Sequence, residues 1–346
     1  RYTEPQFAEL MVKEGRADLV AFGRQSLADP AMPKKAFEER LEDMTPCIAC
    51  LQGCVANMYA GNPVCCLTNP FLGHEAQPVE PAEKSKKIMV VGGGVAGLCA
   101  AFIAKEKGHD VTLYEAGDIL GGNMRLAAYP PGKGDITNMI RSYIHRCQKD
   151  GVKIVMNCEV TPELVKEEKP DSVIIATGSK TLILPIEGID DPAIIHGSDL
   201  LDGKRGAGKK VLVVGGGMVG CETAAFLGEQ EHDVTVIEFR DTVGADVIHE
   251  HRVYLMKDFE DYGIKEITGA KVCRFYEDGV EYETADGVRH ETRGYDSVIL
   301  SMGFRNYNPL EEQIKDIVDT HVIGDAIRAR RALDATKEAY EVASRI

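Results

Sequence analysis

The sequence predicts an α/β protein built on a duplicated strand–helix–strand unit, and three observations carry that prediction. A G-x-G-x-x-G spacing occurs twice, at Gly92, Gly94 and Gly97 and again at Gly215, Gly217 and Gly220. Each copy follows a short β-branched run, Ile88–Val91 or Val211–Val214, and precedes a stretch of helical apolar periodicity. Each then reaches a second β-branched run that ends in a glutamate, Glu115 or Glu238. The copies are offset by 123 residues, a duplication on the scale of a domain rather than of a solenoid repeat.

The remaining elements follow in chain order. Residues 4–14 have helical character, and Ala17–Phe22 reads as a strand closing on Gly23 and Arg24. Residues 41–84 carry five cysteines and run into the polar, proline-containing stretch Gln77–Lys87, where a domain boundary is expected. Everything after Lys87 alternates strand and helix. At 346 residues the chain is long enough for two or three domains.

Composition narrows the function. The formal charge of −15 argues against a general nucleic-acid binder. No apolar run approaches the roughly 18 residues that would span a bilayer, so no membrane is expected among its partners. The sequence opens on Arg1 with no signal peptide, which suggests a piece of a longer protein.

The glycines have a steric purpose. The first allows the tight turn, the second lets the backbone approach a pyrophosphate, and the third lets helix pack on strand. The helix N-terminus then presents free N–H groups to the phosphates. Glu115 and Glu238 each lie 23 residues after the first glycine, where a carboxylate accepts a ribose hydroxyl and repels a 2′-phosphate. Two such units imply two dinucleotides, in enzymes commonly FAD and a nicotinamide.

Half of the ten cysteines, Cys47, Cys50, Cys54, Cys65 and Cys66, fall within twenty residues. A secreted disulfide scaffold spreads its cysteines through a short chain. This crowding instead fits a thiolate metal site in a reducing cytoplasm. Thiolates select zinc or iron–sulfur. The spacing Cys47-x2-Cys50-x3-Cys54, then eleven intervening residues, then Cys66, suits a 4Fe–4S cluster, while adjacent Cys65 and Cys66 cannot form the second knuckle of a zinc site. The scattered cysteines Cys99, Cys147, Cys158, Cys221 and Cys273 read as small buried hydrophobes.

From about residue 85 onward the sequence resembles the two-dinucleotide flavoproteins that include the pyridine nucleotide-disulfide oxidoreductases. The resemblance rests on both glycine turns, Leu120-Gly-Gly-Asn123, Ala176-Thr-Gly-Ser179 and Val322-Ile-Gly-Asp-Ala326. It implies two Rossmann-like domains, one for FAD (85–200 plus 301–346) and one for NAD(P)H inserted in it (201–300). It implies FAD contacts from Gly92, Gly94, Ala96, Gly97, Glu115, Gly122, Asn123, Lys133, Val160, Gly178 and Asp325. Gly215, Gly217, Gly220, Glu222 and Glu238 would hold NADH. The redox-active cysteine pair of the disulfide reductases is missing between Gly97 and Ala176, so electrons leaving FAD are not expected to go to a disulfide.

The segment Pro46–Cys54 followed by Cys66-Leu-Thr-Asn-Pro70 resembles the iron–sulfur segment of the 2,4-dienoyl-CoA reductase, enoate reductase and trimethylamine dehydrogenase family. In that family the fourth ligand precedes Leu-x-Asn-Pro, which selects Cys66 over Cys65. The stretch Ala17–Pro30 is similar to the last strand and loop of the family's FMN-binding (β/α)8 barrel, and residues 1–40 would be its remnant. Gly23 and Arg24 would then contact the FMN phosphate. The resemblance implies an electron-input module, NADH to FAD to 4Fe–4S to FMN, serving reduction of an activated C=C bond such as an enoate, or oxidation of an amine. No catalytic residue toward that substrate is assigned, and association into a homo-oligomer is compatible with this reading. Two rivals are a glutamate synthase small-subunit-like module and an interaction module that keeps the folds without turnover. NADH is expected over NADPH, with Arg240 the complication: strand alternation puts it beside Glu238, where the two side chains can pair.

Overall fold

The computed structural model of the protein describes residues 2–76 and 79–346. Arg1 and the linker residues Gln77 and Pro78 lie outside the described residues. The chain forms two compact units. The first runs to Arg125 and adds Asp135–Ser179 and Asn306–Ile346; the second comprises Leu126–Gly134 and Lys180–Arg305.

The first unit is organised by a five-stranded parallel sheet. Its centre is β1 (Lys87–Val91), flanked by β2 (Asp110–Tyr114) and by Ser172–Ile175, with Lys153–Val155 and Asp319–Val322 at the edges. The inner strands are apolar and buried along almost their whole length, as a parallel sheet covered on both faces requires. Between β1 and β2 runs α1 (Val95–Glu106), in which Leu98–Ala104 are wholly buried. Its alanines and Cys99 let the helices Asp135–Lys149 and Ala332–Ala343 approach closely. Asp135–Lys149 is amphipathic, burying Met139, Ile140, Tyr143 and Cys147.

The cysteine segment belongs to this core. Ile48 and Leu67 pack in the same apolar cluster as α1. The Tyr143 hydroxyl donates to the Leu67 carbonyl at 3.1 Å. Asp43 receives Lys149, His145 and Arg40, fastening the chain ahead of the cysteines to the Asp135–Lys149 helix. Burial pushes the Asp43 carboxyl up, but these three donors outweigh it and hold it well below the usual carboxylate range.

The second unit repeats the plan. Its parallel sheet centres on β3 (Lys210–Val214), flanked by β4 (Asp233–Ile237) and Ser297–Leu300, with Lys265–Ile267 and Ile195–His196 at the edges. Between β3 and β4 runs α2 (Met218–Glu229), also buried along most of its length. A three-stranded antiparallel sheet, Lys271–Tyr276, Gly279–Glu283 and Arg289–Thr292, packs Phe275 and Val280 against Leu212 and Val214.

Two local expectations change. Residues 180–200, like 126–134 and 301–305, are expected with the first unit but group with the second; for 180–200 the reason is that Ile195–His196 extends its sheet and Ile195 and Leu200 enter its core. Ala17–Phe22 is not a strand: it is irregular chain with Leu19 90% exposed. A strand is stabilised by ladder hydrogen bonds to a neighbour, and no strand lies beside this segment among the described residues. The helix ahead of it is present at Pro5–Lys13.

Candidate functional site

The first glycine turn links β1 to α1 with Gly92 at φ +109°, in the region only glycine occupies readily. A Cβ on Gly97 would run into the Gly92 carbonyl oxygen, and one on Gly92 would run into that of Ala176. Gly94, at the N-terminus of α1, would by contrast meet nothing within 4 Å. Glu115 lies at the end of β2 and accepts from the Gly93 and Gly117 N–H groups, both at 2.7 Å. The carboxylate is thus fixed beside the turn with lone pairs to spare for a ribose.

Two expected flavin residues, Asn123 and Asp325, are joined through Ser179. Asn123 donates to the backbone oxygen and hydroxyl of Ser179 at 3.2 and 3.3 Å, and the Ser179 hydroxyl donates to Asp325 at 2.9 Å. Asp325 also accepts the Arg330 N–H at 3.0 Å. Gly122 and Gly178, both at positive φ, flank the group, and a Cβ on Gly324 would stand 3.1 Å from that of Ala96. Val160 is buried in an apolar cluster with Met89, Tyr114 and Ile175, so its side chain packs the sheet. Lys133 lies in the second unit, in an ion pair with Glu222, which is itself nearly buried.

The second glycine turn matches the first. Gly215 has φ +106°, and a Cβ on Gly220 would run into its carbonyl oxygen. Glu238 accepts from the N–H groups of Gly216 at 2.5 Å and Arg240 at 2.9 Å. The expected side-chain pairing of Glu238 with Arg240 is therefore replaced by a backbone bond, and the Arg240 side chain is exposed. The turn differs in one respect: Asp246 accepts the Met218 N–H, at the N-terminus of α2, at 2.9 Å.

All five clustered cysteines line one cavity, with Arg24 and Leu27 in its wall. Among the described residues no three His, Cys, Asp or Glu side chains are grouped to hold a metal ion. The chemistry of the lining fits an iron–sulfur group nonetheless. Ala49 and Leu51, on either side of Cys50, adopt the left-handed conformation at φ +54° and +58°. Left-handed residues within a turn aim successive N–H groups into one concavity, which suits an anionic thiolate cluster. Burial, with the neighbouring thiols Cys66, Cys54 and Cys47, pushes the Cys50 thiol up to about 12, so a cationic core is what would favour its thiolate. A Cβ on Gly53 would stand 2.8 Å from the Cys65 sulfur and closer to its backbone oxygen. The Cys47 N–H is held at 2.8 Å by the wholly buried Gln25, a residue that no sequence pattern marks. Cys66 bonds with Thr68 at 3.3 Å, and Cys65 receives Asn57 at 3.3 Å. Gly23 caps the short helix that begins at Arg24, and a Cβ there would meet nothing within 4 Å.

The scattered thiols behave as apolar residues where they are buried. Cys147 and Cys221 are pushed up to about 12 by burial, and Cys99 is raised by the same cause. All ten cysteines are free thiols.

Comparison with known proteins places this geometry. Residues 86–320 match the family described as pyridine nucleotide-disulphide oxidoreductase. The chain is 32% identical to a cinnamate reductase of Clostridium sporogenes over 100% of its own length and 52% of that protein. It is 36% identical to an NADH oxidase of Thermoanaerobacter brockii, covering 99% of the chain and 54% of that protein. The solved structure of a 2-naphthoyl-CoA reductase superposes with a TM-score of 0.94 at 34% identity, over 99% of this chain and 53% of that one. The chain thus spans about half the length of these relatives. Among the described residues no helix is long and apolar enough to cross a membrane.

Proposed function

The chain belongs to the pyridine nucleotide-disulphide oxidoreductase family of FAD- and NAD(P)H-binding oxidoreductases, and from that premise we propose that it is the electron-input part of a larger NADH-dependent flavoenzyme, delivering electrons in the order NADH, FAD, 4Fe–4S and FMN. One observation carries the reading: the thiol-lined cavity shares its apolar core with α1, the helix of the first glycine turn. A one-electron carrier and a flavin would then be held by one packed unit. The bound cofactors would supply the redox chemistry, hydride acceptance by the flavin and single-electron relay by the cluster.

The chain's own residues hold and orient them. In the first unit the Gly92–Gly97 turn would receive the FAD pyrophosphate, Glu115 its adenosine ribose, and Asn123 and Asp325 its central portion. In the second unit the Gly215–Gly220 turn and Glu238 would hold NADH. Lys133, expected on the flavin, is assigned with Glu222 to the second unit, where each neutralises the other's buried charge. Cys47, Cys50, Cys54 and Cys66 would be the cluster ligands, while the Cys65 sulfur accepts from Asn57. Gly23 and Arg24 are the only contribution expected toward an FMN phosphate. The parent enzyme would reduce an activated C=C bond, a reading supported by similarity to a cinnamate reductase and a 2-naphthoyl-CoA reductase.

The test is anaerobic purification, identification of the released flavin, and stopped-flow reduction by each nicotinamide. FAD should be recovered. NADH should be favoured about tenfold or more over NADPH, because Glu238 loses a charged hydrogen bond and gains a like charge when a 2′-phosphate is present. Recovery of FMN alone, or faster and tighter reduction by NADPH, would overturn this reading.

A further inference from the structure

We propose that Asp246 is an internal occupant of the phosphate site in the second glycine turn, so that its carboxylate must leave the N-terminus of α2 before a dinucleotide can bind; this rests on the reading of that turn as the nicotinamide site. The duplication reveals it. The 123-residue offset that relates the glycines also relates Leu120-Gly-Gly-Asn123 to Val243-Gly-Ala-Asp246. The structure bears out the equivalence: Gly121 N–H donates to the Gly93 carbonyl at 2.8 Å, and Gly244 N–H donates to the Gly216 carbonyl at 2.7 Å. One crossing loop therefore lies over both turns, and it ends in a neutral amide in the first copy and a carboxylate in the second.

The two side chains turn in different directions. Asn123 reaches Ser179 and leaves Gly94 open. Asp246 turns inward onto the Met218 N–H, and its two oxygens lie 3.5 and 3.6 Å from where a Cβ on Gly217 would stand. Gly217 is the residue whose missing side chain is meant to admit the pyrophosphate. A carboxylate there takes up a donor that a phosphate oxygen needs and places negative charge against an incoming anion. Met218 N–H accommodates one acceptor or the other. Asp246 is exposed while Val243 and Gly244 of the same loop are buried, so the carboxylate would leave from the solvent side of the loop. Its role is that of a positioning residue that sets dinucleotide affinity.

Asp246→Ala and Asp246→Asn in the 346-residue chain test this, with dissociation constants for NADH, ADP and adenosine measured by calorimetry. ADP and NADH carry the pyrophosphate; adenosine carries none. Asp246→Ala should tighten NADH and ADP about tenfold and leave adenosine unchanged. Asp246→Asn, which keeps an acceptor oxygen but no charge, should fall between, and its gain should shrink at high salt. Unchanged NADH and ADP affinity in both variants overturns the proposal. An equal change in all three ligands also overturns it, because that reports a rearranged loop. Absence of NADH and ADP binding in the parent chain and both variants would instead remove the reading of the second turn as a nicotinamide site.

Discussion

The two glycine turns are near copies in backbone and differ in what surrounds them. Both hold their first glycine at a positive φ, both would collide with a Cβ on the third glycine, and both end on a glutamate that accepts two backbone N–H groups. The first turn is open at Gly94 and is packed into one core with the cysteine segment. The second is capped by Asp246, and its unit carries the Lys133–Glu222 pair. The lesson is that a glycine fingerprint specifies the backbone of a turn, while neighbouring side chains decide what lies over it.

The largest expected effect breaks the comparison at its most similar point. Gly97→Ala and Gly220→Ala place the same methyl on the same carbonyl oxygen of their respective turns. Overpacking of this kind costs about 1–3 kcal/mol, which if expressed in binding is roughly 5- to 150-fold in affinity. Gly97→Ala should lose that much FAD retention. Gly220→Ala should keep the flavin and weaken NADH by a similar factor, seen as a raised concentration for half-maximal flavin reduction. If Gly220→Ala loses flavin and Gly97→Ala does not, the assignment of the turns is reversed.

The next sharpens the difference in surroundings. Cys66→Ser should abolish the brown 4Fe–4S absorbance after anaerobic reconstitution, whereas Cys65→Ser should retain it. Reduction of bound FAD by NADH should persist in both, since neither thiol touches a glycine turn. Equal bleaching in both variants, or stoichiometric zinc in place of iron, would contradict the ligand assignment.

The smallest effect is confined to the first unit. Asp43 is held below the ordinary carboxylate range by Lys149, His145 and Arg40 against the opposing cost of burial. A depressed folded-state value means this stabilisation is fully present above the unfolded value of about 3.9 and is lost progressively as pH falls from there through the lower folded-state value. Thermal melting of Asp43→Asn should therefore lie below that of the parent at pH 7, with the gap closing as pH drops below about 4. A gap that is constant with pH would assign the loss to packing instead.

Much of this was legible in the sequence because steric and periodic constraints write themselves locally. A glycine turn between a β-branched run and an apolar-periodic run is a local pattern, and both dinucleotide units are present where that pattern lies. The cysteines were legible for the same reason, since thiol crowding is visible without a fold. What escaped depended on distant partners. Ala17–Phe22 has strand-forming residues, but a strand needs a neighbour beside it. Gln25 holds Cys47 from 22 residues away, with no spacing rule to announce it. Lys133, implied on the flavin by resemblance, also pairs with Glu222 89 residues away, a contact that no local pattern announces. Asp246 was within reach, because the 123-residue offset continues past the glutamate into the crossing loop.

The anchoring of the cysteine segment has a bearing on assembly. Ile48, Leu67 and the Tyr143 hydroxyl bond tie the cavity wall to a helix that is buried for other reasons. The wall is thus braced by protein packing at Ile48 ahead of the left-handed residues Ala49 and Leu51 and at Leu67 beyond them. Maturation would then resemble loading a mould whose outer wall the protein's own core braces, with iron and sulfide completing a site rather than nucleating a fold.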